Sequence, residues 1–350
     1  MSALDFSKFP LWVNLAVFGA AAACVWIAGS RLAGYAEKIA RRTGLNRAFL
    51  GMLLLGVATS TPEIATSSTG AMLGNAQLVA GNLLGGVALQ VANLAVIDWI
   101  VVRGALTYFA PHPILLFQGV MLLLLLALTL AGMAMGEPVS VLGVGLTPLV
   151  AVAGYLFTVR YSHKEEHAPR WRATHLPEPA HLSAKDSDQA YGQTGNRMLY
   201  AFVGVGTLVI FAAGWTVAQV GDAVAGQTIL GANFVGVALM ALSTSLPELS
   251  TSLAAARQGN HQMAVANILG TNCLTVALFF LADLFYRDGP ILAALDQASL
   301  VTGALGMILT CVLLLGLLER RNRTVFGLGV DMAVVIVIYF SGLTALYTMR

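Results

Sequence analysis

Charge is scarce in this sequence. Only 10% of its 350 residues are Asp, Glu, Lys or Arg, against 57% hydrophobic residues, and its mean hydropathy is +0.78. Soluble domains carry charge on about a quarter of their residues, so a soluble enzyme, a nucleic-acid binder and a disordered protein are excluded together. Cysteine is scarcer still. Cys24, Cys273 and Cys311 stand apart in apolar stretches, without the spacing of a metal site or a disulfide framework, and read as small buried side chains. Long polar segments are missing too, apart from residues 160–197, which hold Pro169, Pro177, Pro179, four of the six histidines and eleven charges. That composition reads as a linker with solvated histidines, not as a catalytic domain.

What the chain has in abundance is apolar runs of membrane-spanning length. Crossing the hydrocarbon core takes about 20 mostly apolar residues. Ten candidate spans follow, at 11–32, 48–72, 77–100, 113–135, 138–159, 198–220, 232–256, 263–285, 298–318 and 325–348. The first has no small-residue cleavage signal and reads as a helix that stays, not a removable leader. Sorting the 19 Lys and Arg by loop puts 16 after odd-numbered spans and leaves only Lys8, Arg287 and Arg350 on the other side. Positive charge collects on the cytoplasmic side, which predicts both termini outside the cell membrane and the linker in the cytoplasm.

Set against itself at an offset of 185 residues, the chain matches. Thr59-Ser60-Thr61-Pro62-Glu63 meets Thr244-Ser245-Leu246-Pro247-Glu248; Thr66 and Ser67 meet Thr251 and Ser252; Gly74-Asn75 meets Gly259-Asn260; Asn82 meets Asn267; Asp98 meets Asp283. Each copy holds five spans, and because five is odd the second copy enters the membrane from the opposite face. The expected fold is therefore an all-α integral membrane protein, ten transmembrane helices arranged as two inverted five-helix repeats, 1–159 and 198–350, joined by the 160–197 linker. Inverted repeats point to a secondary transporter with its site near mid-membrane.

Glu63 and Glu248 lie deep in apolar spans at equivalent positions. A carboxylate at the bilayer centre costs at least about 2.5–3.5 kcal/mol, and no Lys or Arg lies at that depth nearby, so a proton or a bound cation must compensate. Pro62 and Pro247 precede the two glutamates; a proline inside a helix removes an N–H donor and loosens the carbonyls of the preceding turn. Thr59 and Ser60, or Thr244 and Ser245, share a helical face with the carboxylate three and four residues on. Such an all-oxygen cluster suits hard cations, Ca²⁺ or Na⁺. Gly81-Asn82-Leu83-Leu84-Gly85-Gly86 and Ala266-Asn267-Ile268-Leu269-Gly270-Thr271 add small residues for close helix approach and amides to pin the proline-broken turns. Asp98 and Asp283 at the ends of spans three and eight, and Glu37 and Asp222 in matching loops, read as solvated groups near the interface, with an ion vestibule as the alternative. Asp331 reads as structural or peripheral, and the Leu-rich stretch 121–129 as lipid-facing.

These motifs resemble the cation/Ca²⁺ exchanger superfamily that includes the sodium/calcium exchangers, whose two inverted repeats each carry a Thr-Ser-x-Pro-Glu turn and a Gly-Asn-x-x-Gly-Ser-Asn stretch. The resemblance spans all ten helices. It implies central Ca²⁺ coordination by Glu63 and Glu248 with the carbonyls of Thr59 and Thr244. It also implies flanking Na⁺ positions at Ser60 and the Gly56 carbonyl, and at Ser245 and the Ala241 carbonyl. In spans three and eight the chain departs from the family: Gly86 and Gln90 stand where Ser and Asn are usual, and Thr271 and Thr275 where Ser and Asn or Asp are usual.

The expectation is an antiporter, not an enzyme. It carries Ca²⁺ against Na⁺ by alternating access, with inorganic cations and the lipid bilayer as its partners, no resident cofactor, no nucleic acid and no protein partner. Two carboxylates are neutralised equally by one Ca²⁺ or by two protons, so H⁺/Ca²⁺ exchange is the alternative reading. A cation channel using the same carboxylates and an intramembrane hydrolase are weaker ones.

Overall fold

The computed structural model describes residues 5–43, 59–102, 104–110, 112–141, 143–167, 196–257 and 259–349. Its long elements are α-helices: α1 (Leu11–Thr43), α2 (Thr61–Met72), α3 (Ala76–Val101), α4 (Pro113–Met135), α5 (Leu146–His167) and α6 (Asn196–Gln227). A broken span follows, made of α7 (Ala232–Val235), a π-helical turn Gly236–Met240, α8 (Ala241–Thr244) and α9 (Leu246–Arg257), bent by 47° between α8 and α9. The chain continues through α10 (His261–Phe285), α11 (Gln297–Glu319) and α12 (Val330–Thr348). Seven described helices are long and apolar enough to cross a membrane, eight with the broken span counted as one. The start of the second expected span, 48–58, and linker residues 168–195 lie outside the described residues. α5 is too polar at its C-terminal end, where Arg160 and His163 enter, to join that count.

Caps set the helix starts. Asn75 accepts from the Leu78 amide (3.0 Å) and Asn260 from the Met263 amide (3.1 Å), so equivalent residues open α3 and α10. Side-chain oxygens satisfy amides that a helix N-terminus leaves unpaired. The fifth and tenth spans begin later than the sequence predicts, at Leu146 instead of 138 and at Val330 instead of 325. The intervening residues form two hairpins, β1 (Ser140–Val141) with β2 (Val144–Gly145) and β3 (Thr324–Val325) with β4 (Leu328–Gly329), each antiparallel. Their two-residue turns place Gly143 at φ 86° and Gly327 at φ 82°, the left-handed backbone that tight hairpins require.

α3 and α10 form the buried centre, while α1, α6 and α12 are peripheral. α1 and α6 pack on each other, α6 also on α2 and α1 on α9. α3 meets the broken span backbone to backbone: a Cβ on Gly85 would fall 2.7 Å from Val237 Cα, and one on Gly236 would fall 2.6 Å from the Leu78 carbonyl oxygen. Those glycines are there because nothing larger fits.

Four sequence expectations are corrected. Cys24 and Cys311 are exposed and only Cys273 is buried, because an apolar helix in a bilayer faces lipid as readily as protein. The stretch 121–129 is not uniformly lipid-facing: Leu122, Leu125, Leu126 and Thr129 are buried while Leu124 is exposed, one face of α4 packing inward. Asp98 and Asp283 are not solvated. Both are buried, and each carboxylate accepts two backbone amides. Asp98 takes Leu106 (2.6 Å) and Gly329 (2.5 Å); Asp283 takes Ile291 (2.6 Å) and Gly145 (2.7 Å). Asp222 lies in α6, where it accepts from Asn75 (2.7 Å), and position 37 falls in α1, so neither is in a loop; the Glu37 side chain lies outside the described residues. Asp331 accepts from the Thr107 hydroxyl (2.7 Å).

Candidate cation site

The Thr-Ser-x-Pro-Glu turn is built the same way twice. Pro62 and Pro247 stand in the first turn of α2 and α9, where a missing N–H breaks no ladder bond. The expected mid-helix kink is thus a helix start, and the first backbone bonds past it run from Ile64 to Ser60 (3.0 Å) and from Leu249 to Ser245 (3.1 Å). Glu63 and Glu248 therefore sit in the first turn of a helix, where the unpaired amides and the helix dipole favour negative charge.

Both glutamates are completely buried, and so are Thr59, Ser60, Thr244, Ser245, Ala241, Gln90, Thr271 and Thr275. The Glu63 carboxylate lies within electrostatic reach of Glu248 and alongside the Thr244 hydroxyl, and Glu248 lies alongside that of Thr59. Each glutamate thus faces the motif threonine of the other repeat. Gly56 lies outside the described residues. Gln90 and Thr275 are one turn further along α3 and α10 than Gly86 and Thr271, and the Thr275 hydroxyl is committed to the Thr271 carbonyl at 3.0 Å.

Asparagines hold the turns in place. The Asn82 amide donates to Thr66 (2.9 Å) and Ser67 (3.3 Å), and its oxygen accepts from Thr244 of the other repeat (3.2 Å). Thr66 in turn donates to the Pro62 carbonyl at 2.8 Å. Asn267 repeats the pattern on Thr251 and Ser252, both at 3.0 Å, and Thr251 reaches the Pro247 carbonyl at 3.1 Å, although Asn267 itself is only partly buried. Thr66, Ser67, Thr251 and Ser252 matched in the repeat without being assigned a role; their spacing of three and four residues after each glutamate was the available signal. Asn272 was missed outright. It donates to the Val87 carbonyl (3.3 Å) and joins α10 to α3.

Among the described residues, the buried polar atoms without a hydrogen-bond partner include both oxygens of Glu63 and of Glu248, the hydroxyls of Ser60, Ser245 and Thr271, and both polar atoms of the Gln90 amide; others, such as Asn14 Oδ1 and Glu137 Oε2, belong to other parts of the fold. Leaving a buried polar group unpaired costs about 1–3 kcal/mol, and more for a charged one. Nearly all of these are oxygen donors, the chemistry of a hard-cation site. Beside Ser245 there is also room: a Cβ on Gly86 would meet only the Ser245 hydroxyl, at 4.0 Å.

A family model described as sodium/calcium exchanger protein matches residues 13–161 and 198–348. The chain belongs to the sodium/calcium exchanger protein family. This exchanger is 25% identical over 307 residues to the putative antiporter CaxA of Alkalimonas amylolytica, across 85% of this chain and 89% of that protein. It is 24% identical over 254 residues to the inner membrane protein YrbG of Escherichia coli (strain K12), across 71% and 72% of the two chains. Its fold matches a solved structure of the sodium-calcium exchanger NCX_Mj with a TM-score of 0.59, over 96% of this chain and 99% of that one, at 17% identity. The exchanger is an integral, multi-pass membrane transporter of the cation/Ca²⁺ exchange class.

Proposed function

We propose that this exchanger moves Ca²⁺ outward against Na⁺ through a single central site reached alternately from either side. The supporting observation is the cluster of buried, unpartnered oxygens at Glu63, Glu248, Ser60, Ser245 and Thr271. In this reading Glu63 and Glu248 neutralise Ca²⁺, the Thr59 and Thr244 carbonyls complete its shell, and Na⁺ ions take flanking positions at Ser60 with Gly56 and at Ser245 with Ala241. Gln90, Thr271 and Thr275 line the same chamber from α3 and α10, while Pro62, Pro247, Asn82 and Asn267 fix its walls.

The ten helices act as two inverted repeats, 1–159 and 198–350. The 160–197 linker is cytoplasmic and both termini lie outside the inner membrane, as the 16-to-3 distribution of Lys and Arg favours. Coupling follows from charge. Two buried carboxylates without a cation are too costly to expose to the low-dielectric path, so the site crosses only when loaded. The moving parts are α1 and α6, which pack on each other and against the site helices; Gly214 of α6 gives α2 its close approach, since a Cβ there would fall 2.7 Å from Ala65 Cβ.

Proton-driven exchange is the second reading. It is favoured by Gly86, which brings no hydroxyl to Ser245, and by the pair Gln90 and Thr275, which brings no carboxylate to the site. Uptake of radioactive calcium into proteoliposomes under an imposed Na⁺ gradient, and separately under a pH gradient, distinguishes the two. Glu63→Gln and Glu248→Gln should each abolish exchange with the fold intact; undiminished flux in either variant rules out the central site, and flux that needs no counter-ion gradient would make the protein a channel.

A further inference from the structure

The two hairpins are the same motif in sequence, Ser140-Val141-Leu142-Gly143-Val144-Gly145 and Thr324-Val325-Phe326-Gly327-Leu328-Gly329, yet their chemistry diverges. Residues 136–145 contain one charge, Glu137; residues 320–329 contain Arg320, Arg321 and Arg323 and no acid. On the reading that the repeats are inverted, the hairpins emerge at opposite membrane faces, so the basic one meets a single leaflet.

Phe326 is the second observation. It stands at the tip of the β3–β4 turn, 95% exposed, with φ at 53°. A bulky side chain in the left-handed region is a strained choice where Asn, Asp or Gly is at ease. The chain therefore accepts strain to project an aromatic ring outward, although nothing inside the fold touches that ring closely enough to bury it. Beside it stand exposed apolar residues, Trp99 (64% exposed), Ile100, Val325 and Val330, and Trp99 flanks the turn, its ring 3.8 Å from where a Gly327 Cβ would stand. Arg321 and Arg323 border it, exposed; Arg321 also pairs with Glu319 at 3.0 Å, leaving part of its fork free to face outward. Aromatic rings at headgroup depth beside arginines match the layered chemistry of a bilayer interface, acyl chain next to phosphate.

We propose that the 324–329 hairpin is a docking element for anionic phospholipid headgroups, with Arg321 and Arg323 taking the phosphate and Phe326 and Trp99 seated at the acyl boundary. The occupant is a lipid and not a soluble anion, because the cationic edge is contiguous with lipid-facing apolar surface and is not enclosed in a pocket. The first hairpin, 140–145, acidic and aliphatic, has no such preference.

The test uses the full-length protein in nanodiscs of phosphatidylcholine alone or with added phosphatidylglycerol, reading the thermal unfolding midpoint. Phosphatidylglycerol should raise the midpoint of the wild type. R321Q/R323Q should lose most of that rise while unfolding like the wild type in phosphatidylcholine and retaining its Ca²⁺ transport there. Phe326→Asn, whose residue suits the left-handed turn, keeps the hairpin folded and should also shrink the lipid-dependent rise. An equal rise in the wild type and both variants overturns the proposal, and so does inorganic phosphate reproducing the rise in phosphatidylcholine discs. Because the readout is unfolding, it stands even if Ca²⁺ transport fails in every preparation.

Discussion

Asp283 and Gly145 are 138 residues apart in the chain and are joined by a hydrogen bond of 2.7 Å from the Gly145 amide to the Asp283 carboxylate. Asp98 does the same for Gly329, 231 residues away, at 2.5 Å. The remaining oxygen of each carboxylate accepts from the loop after its own helix, at Leu106 and Ile291. Each half of the protein thus fastens the other half's hairpin, and does so with a side chain at the end of a central helix.

Asp98→Asn and Asp283→Asn should each lower the thermal midpoint in detergent. An asparagine keeps one acceptor but turns an NH₂ group against a backbone N–H, for a loss of about 1–3 kcal/mol. The two sites share no partner, so the double variant should lose close to the sum. A single variant as stable as the wild type by calorimetry would show that these bonds contribute nothing net.

Gly86→Ser places a hydroxyl where only Ser245 is near. The fold should accept it without loss of stability. Na⁺-driven Ca²⁺ uptake should then reach half-maximal rate at several-fold lower Na⁺ concentration. Unchanged Na⁺ dependence in proteoliposomes would remove position 86 from the ion path.

Asn82→Leu removes the bonds to Thr66, Ser67 and Thr244, whereas Asn267→Leu removes two bonds at a partly buried position. The first should therefore weaken Ca²⁺ binding, measured by calorimetric titration, by more than the second. Equal losses would mean that the bond across the halves from Thr244 carries no weight.

His112 caps α4 through its ring nitrogen, which accepts from the Ile114 amide at 3.3 Å, and burial holds its pKa below the usual 6.5. A protonated ring cannot accept there. The folded state therefore binds fewer protons than the unfolded one. The cap's contribution is fully present above pH 6.5 and is lost as pH falls through the lowered folded value. His112→Asn, which caps at any pH, should flatten this part of the stability-against-pH curve; an identical acid slope in both proteins would assign the sensitivity elsewhere.

Most of the spans and the paired glutamates were legible because bilayer thickness fixes run length and duplication repeats every informative neighbour at one offset. The hairpins were not. Two-residue strands leave no period to read, and Val139, Val141 and Val325 look like helix starts. Asp98 and Asp283 misled for a related reason: their partners are backbone amides, which every residue except proline owns and no sequence displays. Gly81, Gly85 and Gly236 were readable only as small residues, since the contact that demands them lies between segments about 150 residues apart.

The bond between Asp98 and Gly329 also orders events in time. When the ribosome has finished the first five helices, Asp98 is already committed to the membrane while the amide it needs is still untranslated, and so is the Thr244 hydroxyl that Asn82 awaits. The nascent first half must therefore carry unmatched acids and amides until the last hairpin emerges, and its final locking step comes almost at the end of synthesis. Chains halted before residue 324 should be cleared by membrane proteases in pulse-chase labelling, and chains extended past residue 329 should not; equal lifetimes would place the locking step earlier.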